Sequence, residues 1–362
     1  MLNSKSMPAL APSTPAPPER ACDSAGAAAN VRVPAVTVIV LNWNGRDDTI
    51  ACVESLAHVE YANFQVMVVD NGSTDGSVAA LRARFPELEI VETGRNLGFA
   101  EGNNVGVRLA LQRGADYAFL LNNDTEVDPS LLRELVAAAE RCPEGGIFAA
   151  KIFYHADPAR LWYAGAVWND RKMGFEHLHE EGKLKADARG VAATDYACGC
   201  ALLARSSMLR EVGLLDSKFF LTYEETDLCF RARRAGFSCY YVPGAILWHK
   251  ISASFGGAES PLIKYFLTRN RLLWGERYLP FRELMLLYKV SWWELRAAMI
   301  PKSAAASAPA GAIPRLRGLL RTVALQWKDP YNQAMAWGIL HYALRRFGDA
   351  PRYVRALARR KA

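Results

Sequence analysis

The chain has 362 residues, of which 51% are hydrophobic, and its 44 Lys and Arg against 37 Asp and Glu give a formal charge of +7. Such a composition excludes a chain too polar to build a core, and without a run of 18 uncharged apolar residues no membrane-spanning helix is expected. From Arg277 to Ala362 there are 16 Lys and Arg against 4 Asp and Glu, a charge of +12 that leaves −5 for residues 1–276; a basic tail on an acidic core points to an anionic surface, and no nucleic-acid motif accompanies it.

Residues 1–34 are rich in Ala, Pro and Ser and lack a signal-peptide apolar segment, so a disordered extension is expected. The seven cysteines are odd in number and lack metal-site spacing. They read as reduced, mostly buried thiols of a cytoplasmic protein.

Val36–Leu41 is apolar on both faces, the pattern of a strand in a covered parallel sheet, and ends at Asn42-Trp43-Asn44-Gly45. A helical pattern follows from Asp47 to His58. Phe64–Val69 is a second strand, running into Asp70-Asn71-Gly72-Ser73-Thr74-Asp75, where Ser73 or Asp75 would cap a helix reaching Arg84. Leu88–Val91 is a short third strand, and Gly94–Ala100 leads into a helix ending near Gly114. Tyr117–Leu121 is a fourth strand that breaks abruptly into Asn122-Asn123-Asp124. This β-α-β-α-β-α-β alternation predicts an α/β fold with a parallel, doubly wound sheet. Right-handed crossovers would set Asn42, Asp70, Asn96 and Asp124 along one crevice at the strands' C-terminal edge. A carboxylate delivered there can hold a divalent cation that serves phosphates. The plainer reading is a turn in which Asp128 caps a helix starting at Pro129. The Gly-x-Gly-x-x-Gly and P-loop patterns are absent, and so are the nucleotide-binding modes they report.

Residues 151–194 read as an irregular or β-ribbon insertion, and Tyr196–Leu203 returns to strand-like sequence. Phe219–Gly236 carries Glu224, Glu225 and Asp227 ahead of an Arg cluster and a Gly stop. Thr222-x-x-Glu225 matches a capping box, which would employ Glu225 only in reaching back to the backbone. An acid pair at a helix N-terminus is equally a place for a general base. Phe237–Val242 is another strand, followed by Ala245–His249, whose His is on its own a packed residue as readily as a ligand. Residues 260–276 form a helix with Arg269-Asn270-Arg271. Phe281–Ile300 fits an interfacial amphipathic helix or a helix packed on the main domain or in a dimer. Ser303–Pro314 reads as a linker, with basic, aromatic helices at about 315–328 and 331–347.

Taken together, these stretches resemble the inverting glycosyltransferases of family 2, with the GT-A fold. The resemblance is carried in order by Thr37–Asn44, Val69–Ser77, Asn96–Gly106, Leu121–Thr125, Gly213–Phe220 with Glu224–Arg231, and Trp248–Ser254. The subgroup most resembled is the bacterial rhamnosyltransferase-like one. It implies a GT-A, Rossmann-like, mostly parallel sheet flanked by helices, with a basic helical region at 277–362 beyond a glycosyltransferase domain at 35–276. Within that domain, 35–125 would be the nucleotide-binding half and 126–276 the acceptor and catalytic half. The implied reaction moves a sugar, rhamnose among the candidates, from a nucleoside diphosphate sugar to a glycan or lipid-linked acceptor in cell-surface polysaccharide synthesis. Glu225 would be the base, with Glu224 as fallback. Asp124 and His249 would hold Mg²⁺ or Mn²⁺. Asn42, Asp70 and Asn71 would contact base and ribose, with Asn96, Asn103 and Asn123 completing the donor site. Arg269 would bind the diphosphate or else form an ion pair on its helix face, and Asp227 and Arg231 would order their helix. The enzyme would work in the cytoplasm, peripherally on the inner membrane's cytoplasmic face, with an anionic surface as partner and no nucleic acid.

Two departures from the family pattern stand out. Asn122 replaces the first acid of the DxD motif, and Glu101 stands where Gly is usual, so that it must point away from the diphosphate or meet the metal. A sugar nucleotidylyltransferase would need a Gly-rich phosphate loop that Asn42–Arg46 does not supply. A catalytically silent membrane scaffold is opposed by the acids at 124, 224, 225 and 227.

Overall fold

The structure, a computed structural model, describes residues 32–169, 172–180, 190–250, 260–300 and 312–358. Residues 1–31 of the extension expected over 1–34, most of the linker and the Ile251–Ser254 part of the His/Ser segment lie outside the described residues. The first half follows the sequence pattern: β1 (Val36–Asn42), α1 (Arg46–Leu56), β2 (Phe64–Asp70), α2 (Ser77–Arg84), β3 (Glu89–Glu92), α3 (Gly98–Gln112) and β4 (Tyr117–Asn122). The strands stand in the order β3-β2-β1-β4, every pair parallel. With helices on its faces, β1 buries Val38, Ile39 and Val40 completely, which is why it reads as a continuous apolar run.

The chain continues through β5 (Thr125–Val127), α4 (Leu131–Arg141), β6 (Gly145–Tyr154), β7 (Leu161–Tyr163), β8 (Ala166–Asn169), β9 (Gly174–His177), β10 (Ala192–Ala193), β11 (Ala201–Arg205), α5 (Ser206–Val212), α6 (Glu224–Arg234) and β12 (Ser238–His249). β11 pairs antiparallel with β4 and with β6, and β12 extends the sheet parallel to β6. The expected ribbon in 151–194 is the β8–β9 hairpin. The strand expected at Phe237–Val242 continues through Ala245–His249 as one long β12, whose register against β6 shifts between Val242 and Ile246. The strand expected over Tyr196–Leu203 begins only at Ala201, because Cys198, Gly199 and Cys200 turn to line a cavity. The six described cysteines are free and buried.

Five helices complete the described chain: α7 (Pro261–Tyr278), α8 (Phe281–Met299), α9 (Ala312–Gln326), α10 (Pro330–Ala343) and α11 (Arg352–Ala358). Residues 312–314, expected as linker, start α9. α10 lies along α7 at a spacing only Gly338 permits, since a Cβ there would come within 2.9 Å of the Tyr265 carbonyl. The Tyr265 hydroxyl and His341 Nδ1 hydrogen-bond across that contact at 2.8 Å. Among the described residues no helix is long and apolar enough to cross a membrane.

Candidate active site

The site lies at the C-terminal edge of β1, β2 and β4, around a cavity of about 290 Å³. Just past β4, the short β5 pairs with β12 and sets Thr125 opposite His249. The Lys250 amide donates to the Asp124 carbonyl at 2.9 Å. This pairing brings together two residues 125 apart in sequence: His249 Nε2 stands 3.0 Å from Asp124 Oδ1, with both side chains 6% exposed. An ionised carboxylate only accepts, so Nε2 carries the proton in this contact. His249 Nδ1 is buried without a hydrogen-bond partner. Burial would raise the Asp124 pKa, but the hydrogen bond and charge of His249 outweigh it, and the carboxyl titrates below its usual value.

This pair fits a divalent cation as two of its ligands. A separation of 3.0 Å suits adjacent positions around an octahedral ion with bonds of about 2.1 Å. No group of three His, Cys, Asp or Glu that could hold a metal occurs among the described residues, so diphosphate and water oxygens would complete the shell. Beside the pair stand two residues that sequence reasoning missed. The Trp162 ring centroid is 5.1 Å from that of His249 and 4.9 Å from that of His177. Burial, helped by His179, lowers the His177 pKa to about 4, so it is neutral at physiological pH. The signal was an aromatic and His cluster inside the segment read as an insertion.

Across the cavity, Glu224 and Glu225 open α6, and the approach is strained. Phe220, Thr222 and Tyr223 have φ of 65°, 66° and 72°, a left-handed conformation uncommon for bulky residues. Tyr223 holds the cap position and no side chain caps the helix, so the capping box expected from Thr222-x-x-Glu225 is not formed. Instead Thr222 Oγ1, Glu224 Oε2 and Glu225 Oε2 are buried without hydrogen-bond partners. Burial pushes Glu225 up to about 7. Burial and then the Glu225 charge push Glu224 well above the carboxylate range.

The strained loop is held from two sides. The amides of Phe99 and Ala100, at the start of α3, donate to the Phe220 carbonyl at 2.7 and 3.3 Å. The approach requires Gly98, since a Cβ there would fall 2.6 Å from the Phe220 ring. From α7, Asn270 Nδ2 donates to the carbonyls of Phe219, Leu221 and Thr222 at 2.8–2.9 Å. Arg269 Nη2 donates to the Phe219 carbonyl at 2.9 Å and Nη1 to that of Gly348 at 2.7 Å. Arg269 is therefore not a diphosphate ligand, nor does it form the alternative ion pair: it is wholly buried, away from the cavity, and clamps the loop. Asp227 accepts from Arg231, Arg277 and the Tyr278 hydroxyl at 2.7–2.8 Å, tying α6 to α7.

Of the expected donor residues, Asn71, Asn96 and Asn123 line the cavity together with Trp43 and Leu41. Asn42, Asp70 and Asn103 do not. Asn42 is fully buried and donates to Asp70 Oδ1 at 2.8 Å while accepting from Thr49 Oγ1 and Asn123 Nδ2. Asp70 Oδ2 accepts the Ser73 amide at 3.0 Å, and Asn103 Nδ2 is turned to the Phe99 carbonyl. These three shape the loops from behind. Glu101 points along α3, to Asn104 and Arg108.

A mostly parallel sheet flanked by helices, with an acid past its fourth strand and a cavity at that edge, is the GT-A fold of glycosyltransferases. Two solved structures share it: the mannosyltransferase PcManGT of Pyrobaculum calidifontis in complex with GDP-Man and Mn²⁺ (TM-score 0.54, 18% identity, 87% of each chain) and GalNAc-T7 with UDP, GalNAc and Mn²⁺ (TM-score 0.56, 14% identity, 86% of this chain and 58% of that one). At such identities the likeness shows the fold alone.

Residues 37–210 match the sequence profile described as glycosyl transferase family 2, and this stretch is a domain of that family. Glu224, Glu225 and His249 lie beyond the matched residues. An uncharacterized protein of Sinorhizobium fredii is 30% identical over 63% of this chain, which spans only 26% of that relative's length. The N-acetylglucosaminyl-diphospho-decaprenol L-rhamnosyltransferase of Mycobacterium tuberculosis is 29% identical over 53% of this chain and 68% of its own. The dTDP-rhamnosyl transferase RfbF of Shigella flexneri is 22% identical over 60% and 73%.

Proposed function

We propose that this glycosyltransferase moves a deoxyhexose, rhamnose, from a nucleoside diphosphate sugar to a glycan or lipid-linked acceptor, with inversion, and that residues 35–276 are the catalytic unit. The observation that carries the reading is one cavity lined by two carboxylates of opposite character: Asp124 beside His249, and Glu225, whose Oε2 is buried without a hydrogen-bond partner. The choice of sugar and acceptor rests on the names of the two rhamnosyltransferase relatives.

In this reading the Glu225 carboxylate takes the proton of the acceptor hydroxyl as its oxygen bonds to the anomeric carbon. The bond from that carbon to the diphosphate breaks on the opposite face, and its electron pair leaves on the nucleoside diphosphate. A base with a pKa near 7 suits transfer at neutral pH. Glu224, held protonated beside it, keeps a second negative charge out of the base's surroundings. Asp124 and His249 would hold a divalent cation, Mn²⁺ in preference to Mg²⁺ because imidazole suits the softer ion; when bound it supplies positive charge to the leaving diphosphate. Asn71, Asn96 and Asn123 orient the donor, and Trp162 with His177 offers an aromatic wall to a sugar. An acceptor carried on a lipid requires the enzyme to work at a bilayer surface.

A panel of nucleotide sugars with Mg²⁺ or Mn²⁺ tests the proposal, reading thermal shift and release of nucleoside diphosphate. A dTDP-deoxyhexose that alone stabilises the protein and is turned over supports it. Stabilisation by a different donor removes the rhamnose assignment, and no donor-dependent release under any condition removes the reaction.

A further inference from the structure

The α8 helix leaves one side uncovered: of its 19 residues nine are exposed, and only Leu287 and Ser291 are fully buried. At about 100° per residue these two lie on one side, and Leu287 packs so closely on α7 that a Cβ at Gly275 would fall 2.3 Å from its methyl. All the exposed side chains lie within about 160° of arc on the other side. Five of them are large and apolar: Phe281 (75% exposed), Met285, Leu286, Trp292 (62%) and Trp293 (50%). Three are cationic, Arg282, Lys289 and Arg296, and form a stripe down the middle of the arc with the apolar side chains on both flanks; Arg296 lies over the Trp293 ring. Both acids of the helix fall outside the arc, and Glu294 is held by Arg271 at 2.6 Å.

We infer that this face of α8 docks the protein on an anionic lipid bilayer. The inference stands on α8 and not on the proposed reaction. Charge decides the occupant. A second copy seated on the same face by two-fold symmetry would set three cations against three, whereas anionic headgroups neutralise them. A basic stripe flanked on both sides by Trp and other apolar side chains, with no acid in the arc, matches the interface between acyl chains and headgroups, where Lys and Arg stems extend to phosphate. The charges on α8 and its fixed contact with α7 make it lie along the surface rather than span the membrane.

The test uses the full-length chain and vesicles of phosphatidylcholine, alone or with about a third phosphatidylglycerol. Sedimentation measures binding, and an acyl-chain quencher reports tryptophan insertion. The wild type is expected to sediment with anionic vesicles only, to be quenched, and to be released by salt. At about 1 kcal/mol for each basic residue near the surface, Arg282→Glu/Lys289→Glu/Arg296→Glu should weaken binding on the order of 100-fold. Trp292→Ser/Trp293→Ser should weaken it at least about 10-fold and abolish quenching. Both variants alter exposed side chains and should keep the wild-type melting temperature and turnover on a water-soluble acceptor; Phe281→Ser repeats the test should either fail to fold. The inference is overturned if the wild type binds neutral and anionic vesicles equally or neither, or if the variants bind like the wild type. A dimer that Trp292→Ser/Trp293→Ser converts to monomer, without vesicle binding, would assign the face to a second copy instead.

Discussion

The two acidic regions of the cavity are buried to a similar degree and titrate in opposite directions. Asp124 is delivered by the end of a sheet strand and meets His249, whose hydrogen bond and charge overcome the effect of burial. Glu225 is delivered by a strained loop and meets no cationic partner; backbone amides of Glu225 and Thr226 reach its carboxylate, but Oε2 stays without a hydrogen bond, so burial prevails and the pKa rises to about 7. Depth alone therefore does not set the role of a buried carboxylate; the presence or absence of a cationic partner does. One region stays ionised, as a cation and a diphosphate require, and the other is left ready to accept a proton.

The contrast is most exposed at Glu225. Glu225→Gln should lower kcat by about 10²–10⁴-fold while donor binding, measured by calorimetry, is unchanged. The same substitution has a stability signature. The folded pKa is raised from 4.5 to about 7, so the group's contribution to stability is complete below about pH 4.5 and is lost as pH rises through 7. Glu225→Gln should therefore match the wild type in denaturant melts near pH 4 and exceed it at pH 8. For this largely buried group the gain should be about 1–3 kcal/mol.

On the opposite side, Asp124→Asn removes the charge that would hold the cation. It should cost about 10- to 100-fold in metal-dependent donor affinity, read by titrating Mn²⁺, while binding without metal changes little. If both variants lost donor binding equally, the division of roles would fail.

The loop clamp comes next in expected size. Asn270→Ala strands the carbonyls of Phe219, Leu221 and Thr222. It should cost about 2–5 kcal/mol in unfolding and lower kcat more than it raises KM. Restoring kcat with Asn270→Gln would separate positioning from simple loss of fold. The smallest effect is expected at Glu101, whose ion pair with Arg108 points away from the cavity. Glu101→Gln should change stability by under about 1 kcal/mol and leave kcat and its pH profile as they are.

Much of this architecture was legible because it is local. Three of the first four strands, β1, β2 and β4, announce themselves as apolar runs, and Asn122-Asn123-Asp124 marks where one run ends at the cavity. The Asp124–His249 contact was not legible from spacing, since it depends on β5 pairing with β12; only the resemblance to family 2 placed His249 at the site. Arg269 was misjudged for a related reason. An arginine beside an expected diphosphate suggests a phosphate ligand, but its true partners are carbonyls turned inward by a loop with three left-handed residues, which no residue pattern in 218–223 reveals. The Thr222-x-x-Glu225 capping pattern misled because Thr222 is itself left-handed and the cap falls one residue later, at Tyr223. Asn42 and Asp70 were correctly placed at the strand ends, yet their side chains are taken up by each other and by neighbouring loops, a competition that only the folded arrangement decides.

The most direct test is the pH dependence of single-turnover sugar transfer at saturating donor and Mn²⁺, for the wild type and Glu225→Gln. The account predicts a wild-type rate that rises to a plateau with a midpoint near pH 7, following Glu225, and a variant that is slow and flat across the same range. A variant with the wild-type rate and midpoint would contradict it, showing that the Glu225 carboxylate is not the group that accepts the proton.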